Sequence, residues 1–224
     1  MSRTSEHHPW PPGSDQAYRS EVDGLVGTEL ADRLAAVKLL VLDADGVLTS
    51  GNLIYSAQGE ALKEFHSHDG LGLVLARTVG VKRAVLTGRN SLIVERRCTE
   101  LRFDAIKLGR FDKVAALHEI WQETGCSPGE TLYMGDDLID LPAMHACGLA
   151  VTVPGAPTEL VDFCALQTAA AGGRGAVREV IDLVLKSAGL FRLAMSRIVD
   201  PDWQPSRAEL SSDGESAAPQ EDES

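Results

Sequence analysis

The sequence predicts an α/β fold, with helices covering both faces of a doubly wound parallel sheet. Two observations predict it. Six short apolar runs alternate with helical patterns, and the polar residues that follow these runs are mainly Asp, Thr, Arg and Lys. Such alternation requires parallel strands joined by right-handed crossovers. A third observation, a hairpin pattern directly after the first run, adds a β-hairpin flap to this sheet.

The predicted elements follow one another without a long gap. The strand candidates are residues 37–43, 82–87, 104–108, 131–136, 149–153 and 163–168. The helix candidates are residues 70–79, 91–101, 112–123, 138–146 and 174–188. A short, continuously apolar run suits a strand that helices cover on both faces.

One segment interrupts the alternation. In residues 51–66, two strand-like runs flank Ala57, Gln58 and Gly59, a pattern that predicts a hairpin. A hairpin at this position stands over the carboxyl edge of the sheet, where open α/β sheets bind ligands. The chain leaves little room for a separate cap domain.

Charge and composition divide the chain into three parts. We predict a disordered, proline-rich tail at 1–23, a folded domain at 24–190 and a disordered acidic tail at 191–224. Of the net charge of −12, a large share comes from residues 200–224, which hold eight acids and one base. A chain this acidic is a poor partner for nucleic acid or an anionic membrane, so we predict neither partner.

Cysteine usage and hydropathy predict a cytoplasmic protein. Four isolated cysteines show no paired spacing, which is typical of reduced thiols in a reducing compartment; they are Cys98, Cys126, Cys147 and Cys164. No apolar stretch approaches the roughly 20 residues of a membrane span.

Charged and polar residues collect where the predicted strands end. In a parallel sheet these ends lie on one side, so the side chains should meet there. They are Asp43 and Asp45 after the first strand, Thr87, Gly88 and Arg89 after the second, Lys113 after the third, and Asp136, Asp137 and Asp140 after the fourth.

These residue types together suit phosphoryl transfer. Converging carboxylates bind Mg²⁺, which takes oxygen ligands and attracts a phosphate dianion. A threonine hydroxyl and the N–H groups of a helix start bind phosphate oxygens, and a lysine adds positive charge. One carboxylate can attack phosphorus to form an aspartyl-phosphate, and a second can protonate the leaving alkoxide and then activate water.

Each motif alone has an ordinary structural explanation. Asp-x-Asp-Gly often marks a turn or a calcium loop, Thr-Gly often caps a helix, and acids in a first helical turn favour the helix dipole. Their joint occurrence at successive strand ends, in this order, favours the catalytic interpretation.

The motifs resemble those of the haloacid-dehalogenase (HAD) superfamily of phosphatases. The run Asp-Ala-Asp-Gly-Val-Leu-Thr at 43–49 is similar to its first motif, and 87–89, Lys113 and 135–140 are similar to the other three. The resemblance implies that Asp43 is the nucleophile and Asp45 the general acid/base. It also implies that Mg²⁺ binds the side chains of Asp43 and Asp136 and the backbone carbonyl of Asp45.

Further stretches, at 94–98 and 171–179, narrow the resemblance to the capless phosphatases of 3-deoxy-D-manno-octulosonate 8-phosphate. That family implies a step of carbohydrate biosynthesis, a phosphorylated sugar as substrate, and a homotetramer in which a neighbouring subunit completes each site. The substrate- or phosphate-binding set that it implies here is Asp45, His66, Ser67, His68, Asp69, Gly70, Thr87, Gly88, Arg89, Arg97, Lys113 and Arg174.

Two positions depart from the family pattern, because His68 and Val74 stand where the family carries arginine. Loss of two cations weakens the case for a substrate carboxylate, which prefers bidentate arginine. One hypothesis keeps the octulosonate 8-phosphate. The other is the same chemistry on a different high-carbon sugar or sugar-nucleoside phosphate.

Two other classes of function use the same residue types. A two-component receiver domain also combines Asp, Thr, Lys and Mg²⁺, but its phosphorylated Asp lies on the third strand and is followed by Thr and then Lys. Here the candidate Asp follows the first strand, and an Asp-Asp pair comes last. A HAD-fold binding module without activity is the second alternative, although all reactive groups are present here.

Overall fold

An all-parallel sheet of six strands forms the centre of the structure, a computed structural model that describes residues 11–199. Its spatial order is β5-β4-β1-β6-β7-β8. The strands are β1 (Leu39–Leu42), β4 (Lys82–Leu86), β5 (Ala105–Lys107), β6 (Thr131–Gly135), β7 (Leu149–Thr152) and β8 (Leu166–Gln167). The doubly wound α/β prediction is confirmed.

Helices cover both faces of this sheet. They are α1 (Asp15–Val26), α2 (Thr28–Ala35), α3 (Ser67–Thr78), α4 (Leu92–Glu100), α5 (Lys113–Thr124), α6 (Leu141–His145), α7 (Thr158–Phe163), α8 (Ala176–Ser187) and α9 (Phe191–Val199). Along β1, Leu40 and Leu42 enter one core cluster, whereas Leu39 and Val41 enter the other. Burial on both faces explains why this strand is apolar at every position.

The last strand and the segment before it differ from the prediction. Phe163, expected at the start of a strand, is the last residue of α7, and the strand itself spans only Leu166–Gln167. The Cys164 backbone N–H donates to the Leu160 carbonyl at 2.9 Å, which continues the helical turn past Phe163. An apolar run this short does not distinguish a helix end from a strand.

The prediction of a disordered N-terminal tail is wrong for residues 15–23. Ser14 caps α1 by accepting from the Ala17 N–H at 3.1 Å, and Val22 of α1 is fully buried. Lys186 of α8 donates to Glu21 at 2.7 Å. The few apolar side chains of a polar segment therefore suffice to dock a helix against α8 when they share one face.

The C-terminal prediction is also wrong for residues 191–199, which form α9. Phe191 and Ala194 are buried, and the Phe191 ring meets the Tyr18 ring edge-on at a centroid distance of 5.0 Å. The two ends of the described chain thus pack on each other. The tail predictions for residues 1–10 and 200–224 lie outside the described residues.

The flap between β1 and α3 has the predicted form. Strands β2 (Ile54–Ser56) and β3 (Gly59–Leu62) pair antiparallel and form a separate two-stranded sheet. No cap domain interrupts the described part of the chain at this point. None of the helices within residues 11–199 has the length and apolar character needed to cross a bilayer.

A glycine loop before α8 packs against the turn after β1, backbone to backbone. The Gly173 N–H donates to the Val47 carbonyl at 2.9 Å. A Cβ added to Gly172 would lie 1.6 Å from the Gly46 carbonyl oxygen, so no larger residue fits without moving the backbone. The loop therefore holds the turn that follows β1 in place.

We expect Gly172→Ala to destabilise the protein by about 1–3 kcal/mol, the usual cost of inserting atoms into a packed site. Chemical denaturation measures this as a lower midpoint. Gly129→Ala is the matched control, because its added Cβ meets nothing within 4 Å. Equal midpoints for the two variants would contradict the close backbone contact.

Candidate active site

The turn after β1 carries two of the predicted catalytic carboxylates. The Asp43 N–H donates to the Met134 carbonyl at 2.9 Å, and the chain then turns through Gly46, whose φ is 93°. Glycine is also required there by space, because an added Cβ would lie 1.9 Å from an oxygen of Asp136. The Asp43 side chain is buried and Asp45 is half-buried.

Lys113 bridges two carboxylates from different strand ends. It is the first residue of α5, which Asp112 caps by accepting from the Ala115 N–H at 2.9 Å. Its Nζ lies 2.9 Å from Asp43 Oδ1 and 2.6 Å from Asp140 Oδ1. All three side chains are at most 8% exposed, so their charges interact with little solvent screening.

Asp140 is a buried acceptor that binds several donors of this cluster. It is fully buried, and besides Lys113 it accepts from the Tyr133 hydroxyl at 2.7 Å. Its second oxygen accepts from the backbone N–H groups of Asp136 at 3.1 Å and Asp137 at 3.4 Å. Both oxygens are thus engaged in holding Lys113 and the strand end, which assigns Asp140 a positioning role.

Burial raises the pKa values of two other acids in the site, Asp43 and Asp136. Burial, and then the charge of Asp140, raises the pKa of Asp43 to about 7, against the opposing effect of Lys113. Burial and the charges of Asp140 and Asp137 likewise raise the pKa of Asp136 to about 7. A cation beside these carboxylates would favour their charged forms.

The carboxylates fit a divalent cation. Oxygens of Asp43, Asp136 and Asp140 lie within 4.8 Å of one another. Because Asp140 is occupied by Lys113, Tyr133 and the backbone, the pair Asp43 and Asp136 is left to bind the ion. Carboxylate oxygens are the donors that hard cations such as Mg²⁺ prefer. The predicted metal cluster is therefore consistent with the structure, and the contribution of the Asp45 carbonyl stays a prediction.

Residues after β4 form the opposite wall. Thr87 is buried, and the Arg89 N–H lies 3.4 Å from its hydroxyl oxygen. Arg89 Nε lies 3.5 Å from Asp45 Oδ2, and its guanidinium lies over the Tyr55 ring of the flap. One cavity of about 290 Å³ is lined by eight of the residues that we predicted to meet at the strand ends: Asp43, Asp45, Thr87, Gly88, Arg89, Lys113, Asp136 and Asp137.

The other predicted binding residues do not line this cavity in the single chain. They are His66, Ser67, His68, Asp69, Gly70, Arg97 and Arg174. Asp69 is buried and accepts from the N–H groups of Gly175 at 3.3 Å and Arg178 at 2.8 Å, so it joins the start of α3 to the start of α8. Burial raises its pKa against these hydrogen bonds. Asp69 thus has a structural contact that the resemblance did not imply.

The rest of that set lies at the start of α3 and on α4, except Arg174, which lies in the glycine loop before α8. A Cβ on Gly70 would lie 2.5 Å from the Arg97 guanidinium, which packs over the Phe65 ring. The His66 and His68 rings meet edge-on at 5.0 Å. Arg174 is exposed and lies 3.4 Å from Glu64. Their substrate-binding roles stay predictions.

Sequence reasoning missed two residues that contact the acids of the site. Tyr133 donates to Asp140, and the buried Lys63 of the flap binds Asp45 while also lying 3.1 Å from Glu60. In the sequence, Tyr133 resembles one more apolar core position of β6. Lys63 resembles an ordinary polar residue of an exposed hairpin, and only the tertiary fold brings it to Asp45.

The six-stranded α/β fold of this chain is shared with solved HAD hydrolases. A putative HAD-superfamily (subfamily III A) hydrolase from Legionella pneumophila superimposes with a TM-score of 0.74 at 35% identity, over 77% of this chain and 95% of that one. No protein-family model matches the chain.

Sequence similarity identifies a particular family of phosphatases among the HAD hydrolases. The chain is 38% identical over 160 residues to 3-deoxy-D-manno-octulosonate 8-phosphate phosphatase of Haemophilus influenzae, over 71% of this chain and 89% of that protein. The phosphatase of the same name from Moraxella catarrhalis, in complex with magnesium, phosphate and KDO, has a TM-score of 0.72 at 35% identity, over 76% and 98% of the two chains. The chain belongs to this family of phosphatases within the HAD superfamily.

Proposed function

We propose that the protein is an Mg²⁺-dependent phosphomonoesterase that hydrolyses a sugar phosphate through an aspartyl-phosphate at Asp43. The observation that carries the proposal is the meeting of Asp43, Asp45, Lys113 and Asp136 around one cavity. Phosphatase relatives at 38% identity support the reaction class. They disfavour the receiver domain and the inactive binding module.

In the proposed reaction Asp43 attacks phosphorus and Asp45 transfers protons. Lys113 binds Asp43 Oδ1, and we assign the other oxygen of Asp43 to attack phosphorus. A bond forms between this oxygen and phosphorus while the ester P–O bond breaks, and Asp45 gives its proton to the leaving alkoxide. Asp45 then accepts a proton from the water that attacks the phosphoryl-aspartate, which releases phosphate and restores Asp43.

Positive charge and hydrogen-bond donors stabilise the transferred group. Lys113 and Thr87, both buried, face the cavity together with the half-buried Arg89. Bound at Asp43 and Asp136, Mg²⁺ would neutralise charge on the phosphoryl oxygens. Asp43, Thr87 and Lys113 are each at most 6% exposed, so solvent screens their electrostatic interactions little.

The rim of the cavity, where the leaving group would lie, is more apolar than the floor that carries Asp43 and Lys113. Leu53, Phe111 and Ile139 line the same cavity, and Phe111 is 76% exposed. Such side chains can contact the carbon skeleton of a sugar. The proposed substrate is an octulosonate 8-phosphate. The alternative is a different high-carbon sugar or sugar-nucleoside phosphate, because His68 and Val74 replace arginines of the family pattern. Both residues lie on α3 and do not line this cavity in the single chain.

A homotetramer in the cytoplasm, with sites completed by neighbouring subunits, is part of the proposal. The flap exposes several large apolar side chains, namely Leu53, Ile54, Tyr55 and Leu62. Exposed apolar clusters of this kind mark contact surfaces. Light scattering after size-exclusion chromatography tests the tetramer, and a monomer at micromolar concentration would contradict it.

The substrate is tested by measuring phosphate release from a panel of sugar phosphates with Mg²⁺. A marked preference for the octulosonate 8-phosphate would remove the alternative substrate. Absence of hydrolysis across the whole panel, with folded protein and Mg²⁺ in excess, would overturn the proposed function.

Metal binding gives a prediction that is independent of turnover. We expect Mg²⁺ at 100 times its dissociation constant to stabilise the fold by about 2.7 kcal/mol, because it binds only the folded state. Thermal unfolding measures this as a higher Tm. Asp136→Asn should abolish the shift, whereas Asp162→Asn, on the exposed surface of α7, should retain it. An unchanged shift in Asp136→Asn would contradict the metal site.

A further inference from the structure

We infer that Lys63 of the flap is a positioning residue that holds Asp45 in place for proton transfer to the leaving group. Lys63 directly follows β3, and its side chain is only 1% exposed. Its Nζ binds Asp45 Oδ1 and lies 3.1 Å from Glu60 Oε1. The inference rests on the proposed function and deepens it.

A buried lysine requires a compensating partner, and here it has two. Burying an ammonium group without an anion is strongly unfavourable. Glu60 already supplies this anion, so Lys63 does not need Asp45 in order to be buried. The contact with Asp45 goes beyond this requirement. It places a cation from the flap on the carboxylate that must protonate the alkoxide.

Asp45 has a hydrogen bond at one of its oxygens and a cation near the other. Lys63 binds Oδ1, and Arg89 Nε lies 3.5 Å from Oδ2 on the other side. The hydrogen bond from Lys63 and the attraction of Arg89 both oppose rotation of the carboxylate about its Cβ–Cγ bond. Such preorganisation matters, since a displacement of the order of 1 Å in a reacting group can cost about 10²-fold in rate.

The lysine is itself anchored to the body of the protein. The Ser91 hydroxyl donates to the second oxygen of Glu60, and the same hydroxyl oxygen accepts from the Val94 N–H at 3.2 Å as the cap of α4. Burial opposes ionisation of Glu60, but the hydrogen bonds from Ser91 and Lys63 lower its pKa overall. Glu60 therefore stays charged and retains Lys63 when Asp45 is protonated.

The effect of losing Lys63 should depend on the leaving group. An alkoxide needs a proton from Asp45 as it departs, whereas 4-nitrophenolate leaves as a stable anion. Both leave in the step that phosphorylates Asp43, and kcat/KM reports events up to that first irreversible step. A residue that only stabilised the fold would change kcat/KM for both esters alike.

The test compares kcat/KM of Lys63→Met for a hydrolysed sugar phosphate and for 4-nitrophenyl phosphate. A positioned acid contributes roughly 10²–10⁴-fold, so we expect a fall of about 10- to 100-fold for the sugar phosphate and less than about threefold for the aryl ester. Lys63→Arg, which retains a cation, should recover part of the loss.

Two further variants complete the experiment. Glu60→Gln with Lys63→Met removes both charges of the flap pair, so it shows the same selective loss even if the single variant folds poorly. Lys107→Met removes a lysine that pairs with Glu119 and Glu123, and it should show no selectivity. Equal falls for both esters in the folded Lys63 variants, or no fall, would overturn the positioning role. A wild-type protein that hydrolyses neither ester would instead overturn the proposed function.

Discussion

Asp43→Asn should reduce phosphate release by about 10⁴-fold or more, the largest loss that we expect from one substitution. The amide cannot form the covalent intermediate, and uncatalysed hydrolysis of phosphate monoesters is among the slowest reactions known. The substituted side chain would also lack the charge that Lys113 and a metal ion need from this position. Steady-state phosphate release with Mg²⁺, over a range of enzyme concentrations, measures the loss.

The same variant distinguishes chemistry from folding. Thermal unfolding should show that Asp43→Asn is folded, because the buried Lys113 keeps its ion pair with Asp140 at 2.6 Å. Asp162→Asn serves as the matched control and should keep wild-type activity. If purified Asp43→Asn retained more than a few per cent of the wild-type rate, the assignment of the nucleophile would be wrong.

Lys113→Met is expected to lower both activity and stability. It leaves the buried carboxylates of Asp43 and Asp140 without their shared cation, and breaking a buried ion pair in this way typically costs about 3–5 kcal/mol. Activity should fall by about 10³-fold, comparable to removing one preorganised electrostatic group. Denaturant unfolding without metal and phosphate release with Mg²⁺ measure the two effects.

A double variant separates these effects. Adding Asp140→Asn to Lys113→Met removes one of the two stranded charges, and the amide can still accept from Tyr133. We expect much of the lost stability to return while activity stays low, because the cation that faces the phosphoryl group is still missing. Recovery of activity together with stability would show that Lys113 acts only by stabilising the fold.

The sheet and the floor of the site could be predicted because local patterns determine them. β1 is apolar over its whole length and β4 over its last three residues, and each is followed at once by a polar residue, Asp43 or Thr87. Parallel pairing of β1 with β4 and β6 then brings those ends to one edge. The order of the strands did not have to be known for this part, because all strands of a parallel sheet end on the same side.

Other features depend on contacts that the sequence does not display. The docking of α1 and α9 depends on the meeting of Tyr18 with Phe191, residues far apart in the chain. Lys63 resembles any polar residue of a hairpin until the flap folds over Asp45. Asp69 could be singled out by resemblance, but its hydrogen bonds to the start of α8 could not.

The contact between the glycine loop and the turn after β1 bears on how this family can diversify. Because Gly172 and Gly46 meet through main-chain atoms, no side chain that evolution might exchange lies between them. At this contact no packing side chain can be shortened by substitution, so the main chain alone sets how closely the loop approaches the reactive turn. Rim residues such as Phe111 are therefore free to vary with the substrate, while the machinery beneath them keeps its shape.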